Sequence, residues 1–111
     1  MRVSTSDAEH GIVLIEVEGE LDAHTARELD RTLNHLLAQG HSRLLLEASN
    51  LGFISSAGLR VITFAQREAS QRGGQVRVCG LNAQARRTFE MAGLDECLHL
   101  SDSRQDALAG W

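Results

Sequence analysis

The sequence contains no proline, no tyrosine and no lysine, and all eleven of its basic residues are arginines. Because the phosphate-binding loop of nucleoside triphosphatases ends in a lysine followed by serine or threonine, the lack of lysine excludes that motif. No predicted strand leads into the glycine-rich fingerprint of dinucleotide-binding proteins either. Nucleotide chemistry carried out by this chain is therefore disfavoured.

Cysteine is scarce as well, with only Cys79 and Cys97 in the chain. Two residues so far apart are too few for a zinc module or a disulfide framework, and we expect both to be reduced residues of the core. The histidines, aspartates and glutamates lack the paired spacings that zinc or calcium sites require. The sequence therefore predicts no metal ion and no cofactor.

No apolar run is long enough to cross a bilayer, and residues 1–7 lack the apolar stretch of a signal peptide. Hydrophobic residues make up 42% of the 111 residues and charged residues 23%. This composition is typical of a packed globule rather than of a disordered tail. We therefore expect a single cytoplasmic domain over residues 1–111, with no membrane partner.

Charge is unevenly distributed around the net value of −4. Residues 1–50 hold nine acids and four arginines, whereas residues 51–94 hold two acids and six arginines. These six arginines indicate either a patch for an acidic protein surface or a solvated helix face. Nucleic acid is a weak candidate, because the chain is acidic overall and no stacking aromatics accompany these arginines. They are Arg60, Arg67, Arg72, Arg77, Arg86 and Arg87.

Hydrophobic periodicity predicts four strands that alternate with four helices. The apolar run over residues 11–19 predicts a central strand that is covered on both faces. Short connections between alternating strands and helices produce right-handed crossovers and a largely parallel sheet, so we predict a compact α/β domain. The other strands are predicted over residues 43–48, 75–79 and 97–100. The helices are predicted to begin at Thr25, at the Ser55–Ser56 turn, after Asn82 and after Asp102, and to end at Gly40, Gly73, Ala92 and residue 109.

Some of these elements carry more detailed predictions. Thr25 and Glu28 are predicted to form a capping box, and Asp102 and Gln105 resemble a second one. Residues 75–79 alternate like a strand with one wetter face. The first helix is predicted to bury Ala26, Leu29, Leu33, Leu36 and Leu37. The second helix is predicted to turn Leu59, Ile62, Phe64, Ala65 and Ala69 inward and Arg60, Arg67, Glu68 and Arg72 outward.

Two adjacent serines, Ser55 and Ser56, occupy the turn that opens the second helix. Backbone N–H groups at such a turn lack helical partners and favour anions. A serine at this place is commonly a helix cap, because its oxygen accepts a hydrogen bond from the first turn. The pair leaves one hydroxyl spare, so the turn is either a plain cap or a place that receives a phosphate.

In open sheets of this class, function gathers beyond the carboxyl ends of the strands, where Asp22, Asn50, Ser55 and Ser56 are predicted to converge. A small serine enzyme would combine one of these serines with Asp22 and His24. The nucleophile elbow of serine hydrolases wants glycine two positions before and after its serine. Ser56 has an isoleucine two positions before it and a glycine two positions after it, so only half of the elbow is present. The remaining histidines are scattered along the chain, which is typical of surface residues.

Three segments of the chain resemble the STAS domain, the fold of bacterial anti-sigma factor antagonists. They are Gly-Glu-Leu-Asp at 19–22, Leu-Leu-Glu-Ala-Ser at 45–49, and Phe-Ile-Ser-Ser-Ala-Gly-Leu at 53–59. The length and the order of the elements agree with that family over nearly the whole chain. The resemblance implies one STAS-like α/β domain, in which a mostly parallel or mixed sheet of four to five strands packs with about four helices.

The resemblance also implies a partner switch in transcription regulation rather than an enzyme. The unmodified antagonist binds a serine-kinase anti-sigma factor of the histidine-kinase-like ATPase fold, and the client of that kinase is released. Phosphorylation by the kinase breaks the complex, and a metal-dependent serine phosphatase resets it. Matching position by position places the phosphoacceptor at Ser56, with Ser55 as the alternative. The residues expected to contact the partner are Asp22, His24, Asn50, Ser55, Ser56, Ala57 and Arg60.

A second interpretation keeps the STAS fold without phosphorylation. The chain would then be a constitutive scaffold or an accessory subunit of a transporter, lipid-transfer or signalling assembly. Three positions depart from the commoner family pattern, which has aspartate at Ser55, aspartate at Glu47 and glycine at Arg60. Arg60 lies one helical turn after Ser56, where a guanidinium group can pair with a phosphate or with a carboxylate of the kinase.

Overall fold

The computed structural model describes all 111 residues, and its middle is a pair of long parallel strands, β2 (Val13–Leu21) and β3 (Arg43–Ile54). Their apolar runs are buried, since helices cover both faces of the sheet. β4 (Gln75–Cys79) and β5 (His99–Ser101) extend the sheet in the same direction. The predicted α/β class with a mixed sheet is confirmed.

An additional strand, β1 (Arg2–Asp7), pairs with β2 in the antiparallel direction and completes the order β1-β2-β3-β4-β5. The sequence analysis missed this strand because its residues are mostly polar and exposed, so no apolar pattern marks it. It lies at the edge of the sheet, where polar residues are typical. β1 pairs with the free edge of β2. Arg2 and Glu18 form an ion pair of 3.5 Å across the two strands.

Three of the helices pack against one face of the sheet and the fourth covers the other. The large core cluster lies on the first face and contains the buried residues predicted for the first helix. A small cluster of Ile12, Leu14, Leu45, Cys79 and Ala107 lies on the second face. None of the four helices combines the length and the apolar character that crossing a bilayer would take. The helices are α1 (Ala26–Ala38), α2 (Ser56–Gln71), α3 (Ala83–Met91) and α4 (Arg104–Leu108).

The prediction of a wetter face for β4 is wrong, because the chain end covers it. Arg77 points to that face and is only 9% exposed. Its guanidinium group donates hydrogen bonds of 2.7 Å and 3.2 Å to the carbonyl oxygens of Ala107 and Ala109, at the end of α4. The ring of Trp111 stacks on it, with 4.3 Å between the guanidinium carbon and the ring centroid. Arg77 therefore holds α4 and the chain terminus against the sheet.

Both predicted capping boxes are wrong, although the helices begin close to the expected residues. The Thr25 hydroxyl donates to the carbonyl oxygen of Glu20 instead of capping the first turn of α1. The last helix is capped by Ser103, whose Oγ accepts from the N–H of Asp106. In each place several polar side chains of similar capping ability are adjacent, so the sequence does not show which of them acts.

Three further expectations are corrected. β3 continues to Ile54 because two bulges in its pairing with β2 absorb the irregular stretch after Glu47. Cys79 is buried as expected, but Cys97 is exposed. Phe64 was predicted to face the core and is 46% exposed. The second helix is otherwise as predicted, with Leu59, Ile62, Ala65 and Ala69 buried.

Candidate functional site

The turn between β3 and α2 is held by hydrogen bonds of Ser55. Its backbone N–H donates to the carbonyl oxygen of Leu21 over 2.9 Å, which ties the end of β3 to the end of β2. Its backbone is extended, and its Oγ accepts from the N–H of Gly58 at 3.4 Å. Ser55 is therefore the N-cap of α2. Its hydroxyl oxygen is therefore turned toward the helix start, and the residue is half-buried.

Ser56 follows as the first residue of α2 and is exposed to solvent. Its hydroxyl forms no hydrogen bond within the chain, and the backbone N–H groups of Ser56 and Ala57 have no acceptor there. The positive end of the helix dipole also lies at this point. The spare hydroxyl that the sequence left unassigned is thus that of Ser56, in a position that tolerates negative charge.

Gly58 lets the first turn of α2 approach the sheet closely. A Cβ atom at this position would lie 2.7 Å from two carbons of Leu21 and 3.1 Å from a carbon of Ile54. Both neighbours are fully buried and have no room to move away. The glycine of the Ser-Ala-Gly-Leu segment therefore sets the depth at which Ser56 emerges from the fold.

Replacing Gly58 with alanine is expected to lower the free energy of unfolding by about 1–2 kcal/mol. Overpacking costs about 1–3 kcal/mol, and the better helix propensity of alanine returns up to about 1 kcal/mol. Urea unfolding measures the change. Gly52→Ala is the matched control, because a Cβ there meets only the carboxylate end of Glu20, at 3.2 Å. Equal stability of the two variants would contradict this account of the turn.

Asp22 and His24 form no hydrogen bond with Ser55 or Ser56. One carboxylate oxygen of Asp22 accepts from the backbone N–H groups of His24 and Thr25, each at 2.9 Å. The hydrogen bond from Thr25 is the main reason why the pKa of Asp22 lies below its usual value. The ring of His24 forms no hydrogen bond and lines a surface hollow beside Met1 and Thr25. Asp22 therefore shapes the loop before α1.

Asn50 is not part of the serine turn either. It lies inside β3, paired in register with Glu18, and its exposed side chain forms no hydrogen bond. Ile54 lies four positions further along the strand, which corresponds to about 13 Å. The structure brings Ser55, Ser56 and Ala57 together at the start of α2, with the Asp22 loop next to them through Leu21. The predicted convergence of four polar residues is thus wrong for Asn50.

A groove runs along α2 from Ser56 and encloses about 520 Å³. We call it the serine groove. A smaller hollow of about 300 Å³ lies between α1 and α2, and Arg60 and Phe64 line both. The exposed face of α2 therefore continues the surface that begins at Ser56. The serine groove is lined by Ser56, Leu59, Arg60, Phe64, Arg67 and Leu94, among others.

Glu47 belongs to a separate polar cluster on the opposite face of the sheet. Its carboxylate accepts hydrogen bonds from the N–H and hydroxyl of Ser49 and from Cys79 Sγ, and Arg104 lies at 3.6 Å. Burial raises the pKa of Glu47, but these hydrogen bonds and the charge of Arg104 outweigh it and lower the pKa. Burial and the charge of Glu47 raise the pKa of Cys79 to about 12, so the thiol stays protonated. The ion pair between Glu47 and Arg104 links β3 to the start of α4.

Comparison with known proteins decides the family. A model of the STAS domain matches residues 5–107. The chain belongs to the STAS domain family. BtrV of Bordetella bronchiseptica is 29% identical to it over 107 residues, which cover 96% of this chain and 92% of BtrV. The anti-sigma F factor antagonist of Paenibacillus polymyxa is 30% identical over 99 residues, 88% of this chain and 85% of that protein.

A solved structure agrees with these relatives. The crystal structure of an anti-sigma factor antagonist from Mycobacterium paratuberculosis superposes on this STAS domain with a TM-score of 0.88 and 25% identity. The superposition covers 96% of this chain and 90% of the other. The predicted family is therefore confirmed, and the relatives are named as regulators that act on anti-sigma factors.

Two features of the STAS domain surface were missed by sequence reasoning. Phe64 is one, and its place at the margin of the apolar stripe gave no sequence signal for the exposed position that it has in the structure. Asn82 is the other. It caps α3 as predicted, through its Oδ1, and its Nδ2 also donates to the carbonyl oxygens of Leu51 and Gly52. No local pattern shows this second role, since the partners lie 30 and 31 residues away.

Proposed function

We propose that this STAS domain is a switchable anti-sigma factor antagonist whose switch is the hydroxyl of Ser56. In its unmodified form it binds a serine-kinase anti-sigma factor in the cytoplasm and frees the client of that kinase. The observation that carries the proposal is the difference between the two serines of the turn. The Oγ of Ser55 caps α2, whereas the hydroxyl of Ser56 is exposed and has no hydrogen-bond partner in the chain. The names of the relatives support the class of partner.

The modification is a phosphoryl transfer from ATP held by the kinase. The bond between Ser56 Oγ and the γ-phosphorus forms, and the bond between that phosphorus and the oxygen bridging to the β-phosphate breaks. ADP leaves, and the hydroxyl proton passes to a general base of the kinase. The STAS domain contributes an exposed nucleophile on a rigid helix start. A metal-dependent serine phosphatase then hydrolyses the phosphoserine and restores the hydroxyl.

The switch acts on the partner more than on the domain itself. A phosphoserine carries roughly −1.5 to −2 charges and three acceptor oxygens. The free N–H groups of Ser56 and Ala57 and the helix dipole accommodate this charge, so the fold is retained. A partner surface that packs against a neutral hydroxyl meets a bulky dianion instead, and burying that charge unpaired is costly.

Intact-mass measurement tests the proposal. The purified chain is incubated with ATP and, in turn, each serine kinase of the histidine-kinase-like ATPase class from the same organism. One kinase is expected to add about 80 Da, the mass of one phosphoryl group, on the peptide that contains Ser56. Ser55→Ala should still be modified, and Ser56→Ala should not. A mass gain that persists in Ser56→Ala assigns the acceptor elsewhere, and no gain with any kinase favours the constitutive scaffold.

A further inference from the structure

Five of the six arginines of the basic middle segment separate into two groups in the structure, and the sixth, Arg87, is exposed and lies outside both. Arg72 pairs with Glu68 at 3.2 Å, Arg86 pairs with Glu90 and Asp102, and Arg77 is buried against the chain end. Arg60 and Arg67 have no carboxylate partner within 4.0 Å in this chain, and both line the serine groove. The six arginines therefore do not form one patch. Two of them give the groove its charge.

No acidic side chain lines the serine groove, although acids outnumber arginines in the chain by 15 to 11. The groove is thus locally positive on a protein of net charge −4. Two unpaired guanidinium groups can each donate a bidentate pair of hydrogen bonds to a carboxylate. A partner segment with clustered carboxylates therefore has complementary charge to the groove.

The floor of the groove is apolar. Phe64 is a large exposed aromatic ring between the two arginines, and Leu59 and Leu94 line the same hollow. Aromatic residues and arginine are enriched at protein interfaces, and arginine is also among the residues that contribute most to binding energy. Ser56 lies at one end of this surface, so a kinase that reaches its hydroxyl is placed directly over the groove.

We propose that the serine groove is the docking site for an acidic segment of the kinase. Carboxylates of that segment pair with Arg60 and Arg67, and an apolar side chain between them packs on Phe64. This inference rests on the proposed function, because it names the chemistry by which the same partner is held. It also adds a second effect of phosphorylation: a phosphate on Ser56 lies one helical turn from Arg60 and competes with the partner's carboxylate for that guanidinium group.

Charge reversal tests the docking site with the kinase that modifies the wild-type chain. Arg60→Glu and Arg67→Glu are each expected to weaken binding of the unphosphorylated chain at least tenfold in titration calorimetry at low salt. The loss should shrink as salt is added, because screening weakens the interaction that was removed. Phe64→Ala should weaken binding with little change in salt dependence. Arg31→Glu is the matched control, since Arg31 is an exposed arginine of α1 without an ion pair and lies outside the groove. It should bind within twofold of the wild type.

The possible outcomes separate the two proposals. If both charge reversals bind like Arg31→Glu while Ser56 is still phosphorylated, the docking site is wrong and the switch stands. If no kinase modifies or binds the wild-type chain, both proposals fall. Sedimentation of the isolated chain tests whether a second copy occupies the groove. A dimer that dissociates in the Arg60→Glu variant would assign the groove to that second copy and overturn the inference. Circular dichroism of each variant confirms folding, and Arg60→Gln and Arg67→Gln replace any reversal that fails to fold.

Discussion

Replacing Ser56 with aspartate is expected to weaken binding to the kinase about a thousandfold, which corresponds to about 4 kcal/mol. The exposed hydroxyl lies at the start of the docking face, where a fixed negative charge would be desolvated against the partner and would compete with the partner's carboxylate for Arg60. At the start of α2 the same carboxylate is harmless to the fold, because it faces free N–H groups and the positive end of the helix. Titration calorimetry measures the affinity, and circular dichroism should remain that of the wild type.

Two neighbouring variants are the controls for this experiment. Ser56→Ala keeps the surface neutral, so it is expected to bind the kinase like the wild type. It is not expected to be phosphorylated. Ser55→Asp adds the same charge one residue earlier, but aspartate is as good an N-cap as serine, so its carboxylate is turned onto the N–H of Gly58. Its binding should fall far less. Undiminished binding of Ser56→Asp, or an equal loss in Ser55→Asp, would contradict the electrostatic switch.

Replacing Gly74 with alanine is expected to lower the free energy of unfolding by about 3 kcal/mol, the largest stability effect among the single substitutions considered. A Cβ atom at Gly74 would overlap the backbone carbonyl of Ser42. That carbonyl oxygen accepts from the N–H of Gln75 at 2.8 Å, the hydrogen bond that starts the pairing of β3 with β4. Neither backbone can retreat without breaking the register of the parallel strands.

The adjacent glycine is a matched control for Gly74→Ala. Gly73 has φ 78° and open space around it, so alanine there meets no atom but must adopt a left-handed backbone conformation. That strain costs about 1 kcal/mol. Urea unfolding should therefore rank the wild type above Gly73→Ala and Gly73→Ala above Gly74→Ala. The opposite order would show that backbone conformation, and not the close approach of two strands, makes the pair of glycines necessary.

The parts of the fold that sequence analysis predicted well are those with a repeating apolar pattern. α1 buries the five residues that recur at helical spacing, and β2 and β3 are covered on both faces, as uninterrupted apolar runs require. β1 has no such pattern, because an edge strand needs only a neighbour with free hydrogen-bonding groups. Phe64 was misplaced because a hydrophobic residue at the margin of a stripe fits either side, and only the packing of α2 decides which.

The candidate site shows the same division. The adjacent serines before Gly58 and Leu59 identified the turn and the family, because a strand that ends in hydroxyl residues at a helix start is a local feature. Which serine is free was open until the hydrogen bond between Ser55 N–H and Leu21 fixed the orientation of the turn. All of the expected partner contacts stay predictions, namely those at Asp22, His24, Asn50, Ser55, Ser56, Ala57 and Arg60.

By itself the sequence determined the family, the order of the four helices and of β2 to β5, and the position of the serine turn, since each follows from spacings along a few consecutive residues. Tertiary structure alone decided that Ser55 caps and Ser56 is exposed, that Arg77 holds the chain end, and that Arg60 and Arg67 share a groove without acids. The physical reason is that hydrogen bonding, burial and ion pairing depend on neighbours that are distant in sequence, and no local pattern specifies those neighbours.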